Sequence, residues 1–344
     1  MGIGLLLVGL VVLVLALALL GALYQAIATT IEQRRYPPPG KLVDLGGYQL
    51  HLNCMGKGQP TVVMDSGAGN SSLDWLLVQP EVAQFTRVCS YDRAGYGWSD
   101  PSLKPRTSQQ SVDELHTLLV KSEIEPPYVL VGHSLGGMNV RLYASQYPDE
   151  VVGMVLVDAG HEELRAKLSQ LMTPDARQGK VRKLMLYKLG QMVAPFGLLR
   201  LLGELGLVPQ FQEVKKMLMN CIPEGKLIFN ILKASWYRTH FLTALHSELT
   251  HLEESSAQVG AARSLLDMPL VVLTRGVQEP NPGRSNQQMK QFEQVWNELQ
   301  ADLVSLSSNS TQLIAQQSGH YIHLEQPQLV VKGIRQVVEA VRNR

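Results

Sequence analysis

The chain reads as an α/β protein built on a mostly parallel sheet. Three observations predict this. Short apolar runs bounded by glycine-rich turns recur at Thr61–Met64, Arg87–Tyr91, Tyr128–Val131, Val152–Val157 and Leu270–Thr274. Such unbroken runs fit strands buried on both faces, as in a parallel sheet. Helical patterns lie between several of them, and strands alternating with helices give an α/β fold. The length, 344 residues with 45% apolar, allows one large domain with an insertion.

The elements follow in order. From Ile3 to Leu23 there is no charged residue and no proline. About 20 such residues span a hydrocarbon core as a helix, so residues 1–28 are predicted to be a membrane anchor. A cleaved signal peptide is the rival, because Ala26-Ile27-Ala28 has the form of a small-residue cleavage site. Residues 29–41 form a linker around Tyr36-Pro37-Pro38-Pro39-Gly40. The run Leu42 to Asn53 comes next as extended chain, ahead of a turn at Gly56-Lys57-Gly58. Ser111–Glu123, Gly136–Tyr147, Met289–Leu303 and Leu329–Val341 read as helices. Between residues 160 and 266 no strand pattern occurs, while Leu184–Leu189, Phe196–Leu207, Val214–Leu218 and Leu227–Leu232 have helical spacing, which predicts a helical insertion in residues 42–344.

Charge excludes one class of partner. Lys+Arg number 31 and Asp+Glu 30, a formal net charge of +1, without the basic excess that nucleic acid requires.

The chemistry concentrates at Val129-Leu130-Val131-Gly132-His133-Ser134-Leu135-Gly136-Gly137. An apolar strand runs through G-x-S-x-G into a helix, which turns the Ser134 hydroxyl out of the sheet edge. A serine hydroxyl needs a base within reach. His320 is best placed, in Ser318-Gly319-His320 after the run Gln312–Ala315, with His323 as its near rival. His133 is read as a brace for the elbow. The third member, a carboxylate that sets the imidazole tautomer, is read as Asp158 at the end of Val152–Val157. Glu279, the one acid in the loop after Leu270–Thr274, is the alternative, with Asp302 a distant third. The strand Val62–Met64 leads into Asp65-Ser66-Gly67-Ala68-Gly69-Asn70, whose small residues let backbone N–H groups approach a substrate. The oxyanion donors are therefore the N–H groups of Ala68 and Leu135.

With those residues in place, the chain resembles the α/β-hydrolase superfamily in its serine esterase, lipase and haloperoxidase-like branch. The matching segments are Ser66-Gly67, Tyr91-Asp92-Arg93-Ala94-Gly95-Tyr96-Gly97-Trp98-Ser99, the Ser134 elbow, and Ser318-Gly319-His320-Tyr321-Ile322-His323-Leu324-Glu325-Gln326-Pro327. Their order is specific, and they run across most of residues 42–344. The resemblance implies an eight-stranded sheet flanked by helices, with residues 160–266 as a cap. It also implies that the strands holding Cys54 and Cys89 are neighbours, which supports a disulfide between them; two buried thiols are the alternative, and Cys221 is left over. The usual acid position after the seventh strand holds no aspartate, only Glu279, and some relatives carry the acid where Asp158 stands. Ser134 separates the chain from epoxide hydrolases and haloalkane dehalogenases of this fold, which use Asp, and from dienelactone-hydrolase types, which use Cys.

The resulting expectation is a membrane-associated serine hydrolase that cleaves carboxylic esters through an acyl-enzyme, with no cofactor and no metal. Met172, Met185, Met192, Met217, Met219 and Leu198–Leu202 make the insertion apolar. They suggest a lipid-like ester arriving from the bilayer, although they read equally as the insertion's own core. Trp75 and Trp236 are candidate pocket residues. Two other readings stay open. One is an aminopeptidase or other amide hydrolase, which would need a carboxylate cluster such as Glu162-Glu163 or Glu253-Glu254. The other is a non-catalytic, membrane-tethered ligand-binding protein. The side of the membrane is also open: Arg34, Arg35 and Lys41 follow the apolar run and favour a cytoplasmic domain, whereas a disulfide would imply an oxidising compartment.

Overall fold

A computed structural model of the chain describes residues 2–171, 173–261, 265–278 and 285–344. The elements begin with α1 (Gly2–Arg35), β1 (Lys41–Asp44), β2 (Gln49–Met55), β3 (Thr61–Asp65), α2 (Gln79–Val82) and β4 (Val88–Tyr91). They continue with α3 (Ser108–Lys121), β5 (Tyr128–His133), α4 (Leu135–Gln146) and β6 (Val151–Val157). A run of helices follows: α5 (Leu164–Leu171), α6 (Pro174–Val193), α7 (Leu198–Glu204), α8 (Pro209–Cys221), α9 (Gly225–Trp236), α10 (Phe241–Thr250) and α11 (Leu252–Gly260). The chain closes with β7 (Leu270–Arg275), α12 (Asn286–Val304), β8 (Ser310–Ala315), α13 (Ile322–Glu325) and α14 (Pro327–Arg342).

The eight strands form one sheet in the order β1-β2-β4-β3-β5-β6-β7-β8. The β1/β2 and β2/β4 pairs are antiparallel, and every pair from β4/β3 to β7/β8 is parallel. Strands β3, β4, β5 and β7 are buried along their whole length, as their unbroken apolar runs require. One face of the sheet packs Leu115, Leu119, Met138 and Leu142 from α3 and α4. The other packs Val330, Ile334, Val337 and Val338 from α14.

The run Leu42–Asn53 is two strands, not one. It folds back at Gly46-Gly47, where φ is +106° and +105°, a conformation open to glycine at little cost. Asp44 Oδ1 accepts from both glycine N–H groups at 2.8 and 3.0 Å, which closes the turn. On β2, Cys54 then stands directly opposite Cys89 on β4, and the two are disulfide-bonded.

The contacts divide into two compact units, Pro39–Lys180 with Ser247–Arg344, and Met1–Pro38 with Val181–His246. The sheet lies in the first. There α11 packs on α3 and α4, with Ser108 N–H donating to Ser255 Oγ at 3.0 Å. In the second unit, α1 is long and apolar enough to cross a membrane, with a mean hydropathy of 3.2 over its most apolar stretch. The helix runs on through Ala26-Ile27-Ala28 to Arg35. Within this unit its last third is packed: Gln25 is buried, donates to Tyr237 O at 2.6 Å, and accepts from Arg200 Nε at 2.9 Å. Arg200 also holds Glu32. Met185, Met192 and Met219 are exposed rather than forming a core of the insertion, and Trp236 stacks on Phe211 at 4.9 Å inside this unit.

Candidate active site

The elbow is built by local sterics. Strand β5 ends at His133, and Ser134 takes φ +52° and ψ −119°, a strained conformation for a non-glycine residue. The chain can bend there because the backbones on either side nearly touch. A Cβ on Gly136 would lie 2.3 Å from Asp65 O, and one on Gly132 would lie 2.5 Å from Gly136 O. Ser134 O accepts from Gly137 and Gly160 N–H at 3.0 and 2.8 Å, which ties the strained residue down on two sides.

Asp158 follows the last residue of β6 and is also strained, with φ +40°, and fully buried. Its carboxylate accepts four bonds. Oδ2 receives His320 Nδ1 at 2.6 Å and Arg275 Nη1 at 2.9 Å. Oδ1 receives Trp296 Nε1 at 2.9 Å and the Arg275 backbone N–H at 3.2 Å. Burial pushes this carboxyl upward, but the bond and charge of His320 and the charge of Arg275 outweigh it and hold the group below the ordinary carboxylate range. The structure thus brings together Asp158 and His320, which stand 162 residues apart. Glu279 lies outside the described residues. Asp302 is engaged elsewhere, accepting from His161 at 2.9 Å.

His320 sits in the loop after β8, and Glu325 shapes that loop. Its Oε2 accepts from Gly319 N–H at 2.6 Å and Ser318 Oγ at 2.8 Å. His133 is buried and donates from Nε2 to His320 O at 3.0 Å, consistent with the bracing role. Burial and the nearby imidazoles of His323 and His320 hold His133 well below its usual range, so it stays neutral. His323 has no access to solvent and is pushed down to about 3 by burial and the charge of His320, which leaves it unsuited to act as the base. Trp75, expected to line a pocket, is fully buried against His323 instead, with ring centroids 5.1 Å apart.

Ala68 and Leu135 stand on one wall of a cavity of about 430 Å³ that Ser134 and His320 also line. Leu135 opens α4, so its N–H has no acceptor within the helix. A buried ion network anchors the loop that holds Ala68. Arg93 donates to Asp65 Oδ1 at 2.5 Å, to Ser66 O at 2.6 Å and to Gly67 O at 2.7 Å. Glu248 receives Arg93 Nε at 2.8 Å, Tyr96 Oη at 2.8 Å and the Gly69 N–H at 3.4 Å. Sequence reasoning missed Arg275, Trp296 and Glu248; Arg93, by contrast, lies inside the recognised Tyr91–Ser99 segment.

Among the described residues, one trio has metal-ligating atoms in mutual reach: Asp74, His133 and His323, within 4.8 Å. Asp74 Oδ2 already accepts from Asn70 Nδ2 at 2.7 Å, and His133 Nδ1 lies against the backbone at Gly67.

Residues 60–201 match the family model described as the alpha/beta hydrolase fold. An uncharacterised protein of Bacillus subtilis is 26% identical over 279 residues, covering 80% of this chain and 83% of its own. An AB hydrolase superfamily protein of Gibberella zeae is 25% identical over 310 residues, covering 83% and 88%. Among solved structures, a thermophilic esterase from Thermogutta terrifontis superposes with a TM-score of 0.59 at 19% identity, covering 86% of this chain and 94% of that one.

Proposed function

We propose that the chain, which carries the α/β-hydrolase match over residues 60–201, is a membrane-anchored serine hydrolase of carboxylic esters. One observation carries the reading: the 2.6 Å bond from His320 Nδ1 to Asp158, made beside a serine held at φ +52°. With Nδ1–H committed to the carboxylate, Nε2 is the basic nitrogen of a neutral His320. It takes the Ser134 proton as Oγ attacks the ester carbonyl. The N–H groups of Ala68 and Leu135 receive the developing oxyanion. The imidazolium, steadied by Asp158, protonates the departing alcohol. Water deprotonated by the same nitrogen then releases the acid and frees Ser134.

The rival readings draw less support. An aminopeptidase needs a free carboxylate for the substrate amine. Glu162 is instead clasped by Arg141 at 2.6 and 2.9 Å, and Glu293, the one carboxylate among the described cavity-lining residues, is held by Arg275 at 2.9 Å. A non-catalytic binding protein has no use for strain at both Ser134 and Asp158, which costs of order 1–3 kcal/mol at each. Labelling by a fluorophosphonate probe, together with turnover of p-nitrophenyl esters that disappears in Ser134→Ala, tests the reading. No labelling and no turnover by the folded protein would overturn it.

Membrane association rests on α1. Its exposed stretch from Ile3 to Leu20 is about 27 Å long as a helix, close to one hydrocarbon core. Cleavage after Ala28 would discard Gln25 and its bonds to Tyr237 and Arg200, which supports retention of α1 as an anchor. Phe196, Leu198 and Leu201 extend the exposed apolar surface within the same unit. The Cys54–Cys89 bond supports an oxidising compartment for the catalytic domain. Arg34 and Arg35 weigh the other way, by the bias that charge puts on insertion. Alkylation of the unreduced protein should mark Cys221 alone. Marking of Cys54 and Cys89 would reverse the assignment.

A further inference from the structure

We propose that the cavity above Ser134 accepts an ester that carries an anionic group, a carboxylate or a phosphate, and that Arg165 receives it. The inference rests on the hydrolase reading and narrows it to a substrate class.

Arg165 lies in the first turn of α5 and lines the same cavity as Ser134 and His320. Its Nη1 is buried yet makes no hydrogen bond. No ion pair engages its guanidinium among the described residues. Among the described residues, the nearby acids are committed: Glu162 to Arg141, Glu163 to Lys167, Glu293 to Arg275 and Asp302 to His161. Arg275, the other cation in the lining, is balanced by Glu293 and Asp158. Among the described residues, the cavity lining therefore holds one positive charge without a counter-ion.

The rest of the wall is largely apolar, with Leu135, Met138, Leu164, Leu252 and Phe292. A charged group whose N–H is withdrawn from water and given no partner is costly, and the cost is relieved when an anion arrives. The planar guanidinium suits a carboxylate or phosphate, which it can hold with two parallel bonds. A plain fatty ester would leave the buried Nη1 of Arg165 unanswered. An ester with an apolar body and an acidic end satisfies both the wall and the charge.

Full-length protein in detergent micelles, assayed with a matched pair, tests this: p-nitrophenyl valerate and mono-p-nitrophenyl glutarate, which differ by a terminal carboxylate. The ratio of kcat/KM, acidic over neutral, should exceed about 10 in the wild type, as expected for one charge-assisted bidentate contact. It should fall to about 1 in Arg165→Gln and stay intermediate in Arg165→Lys. Because the ratio is internal to each preparation, a partly folded variant does not distort it. A wild-type ratio at or below 1, or an unchanged ratio in Arg165→Gln, overturns the anionic subsite while leaving the hydrolase intact. Absence of turnover of both esters, with no fluorophosphonate labelling, overturns the hydrolase reading itself. Calorimetric titration of Ser134→Ala with methyl hydrogen glutarate then decides the subsite without catalysis: heat of binding lost in Ser134→Ala/Arg165→Gln supports it, and no heat in either sinks it.

Discussion

Replacing Asp158 by Asn tests the least local part of the site. The substitution keeps the shape and removes the charge. The four donors that converge on Asp158 are divided two by two, His320 Nδ1 and Arg275 Nη1 on Oδ2, and Trp296 Nε1 and the Arg275 N–H on Oδ1. An amide has one acceptor oxygen, so its NH2 must confront one of these pairs. Turned toward Oδ2, it drives His320 to accept at Nδ1 and carry its proton on Nε2, where no base remains for Ser134. Turned toward Oδ1, it strands two buried N–H groups at about 1–3 kcal/mol each. In either pose Arg275 loses its buried counter-charge. We expect kcat to fall about 10⁴-fold and the unfolding free energy to fall by about 3 kcal/mol. The assay is turnover of p-nitrophenyl butyrate, normalised to sites titrated with a fluorophosphonate, alongside urea denaturation. A folded Asp158→Asn protein within about tenfold of wild-type kcat would refute the reasoning, above all if Glu279→Gln were inactive.

Three further outcomes are expected. Arg93→Met should unfold at lower denaturant by about 3–5 kcal/mol, because Asp65 and Glu248 are left buried and unpaired; kcat of the folded fraction should fall more than KM rises, since the Ala68 loop loses the donor to Ser66 O and Gly67 O. Asp74 is pushed up to about 7 by burial, so the folded protein binds a proton there more tightly than the unfolded chain does. That group costs nothing below about pH 4 and costs progressively more as pH rises through 7; Asp74→Asn should therefore match wild type in acid and exceed its melting temperature at pH 8, and equal melting curves at both pH values would count against it. Reducing Cys54–Cys89, which closes a 35-residue separation, should cost about 4 kcal/mol by loss of the constraint on the unfolded chain, and Cys54→Ser/Cys89→Ser should reproduce the loss without reductant.

What the sequence determined by itself was local. The elbow is legible because strand, G-x-S-x-G and helix are adjacent, and Gly132 answers to a steric contact four residues away, although Gly136 answers to Asp65 O at the end of β3, a contact made only in the fold. The apolar helix α1, the buried strands and the loop that presents His320 declare themselves through run length, period and turn residues. The choice of Asp158 could only be a preference at that level. Its four donors come from β7, α12 and the loop after β8, up to 162 residues distant, and the register of β6, β7 and β8 together with the packing of α12 on β7 brings them to one carboxylate. The same is true of Arg93 and Glu248, 155 residues apart, and of the unanswered charge of Arg165 in the cavity. Trp75 shows the converse: position in the sequence suggests a pocket residue, whereas packing turns it into the core against His323. Periodicity and turn chemistry act over a few bonds, but the pairing of buried charges depends on which strands lie side by side, and only the tertiary structure decides that.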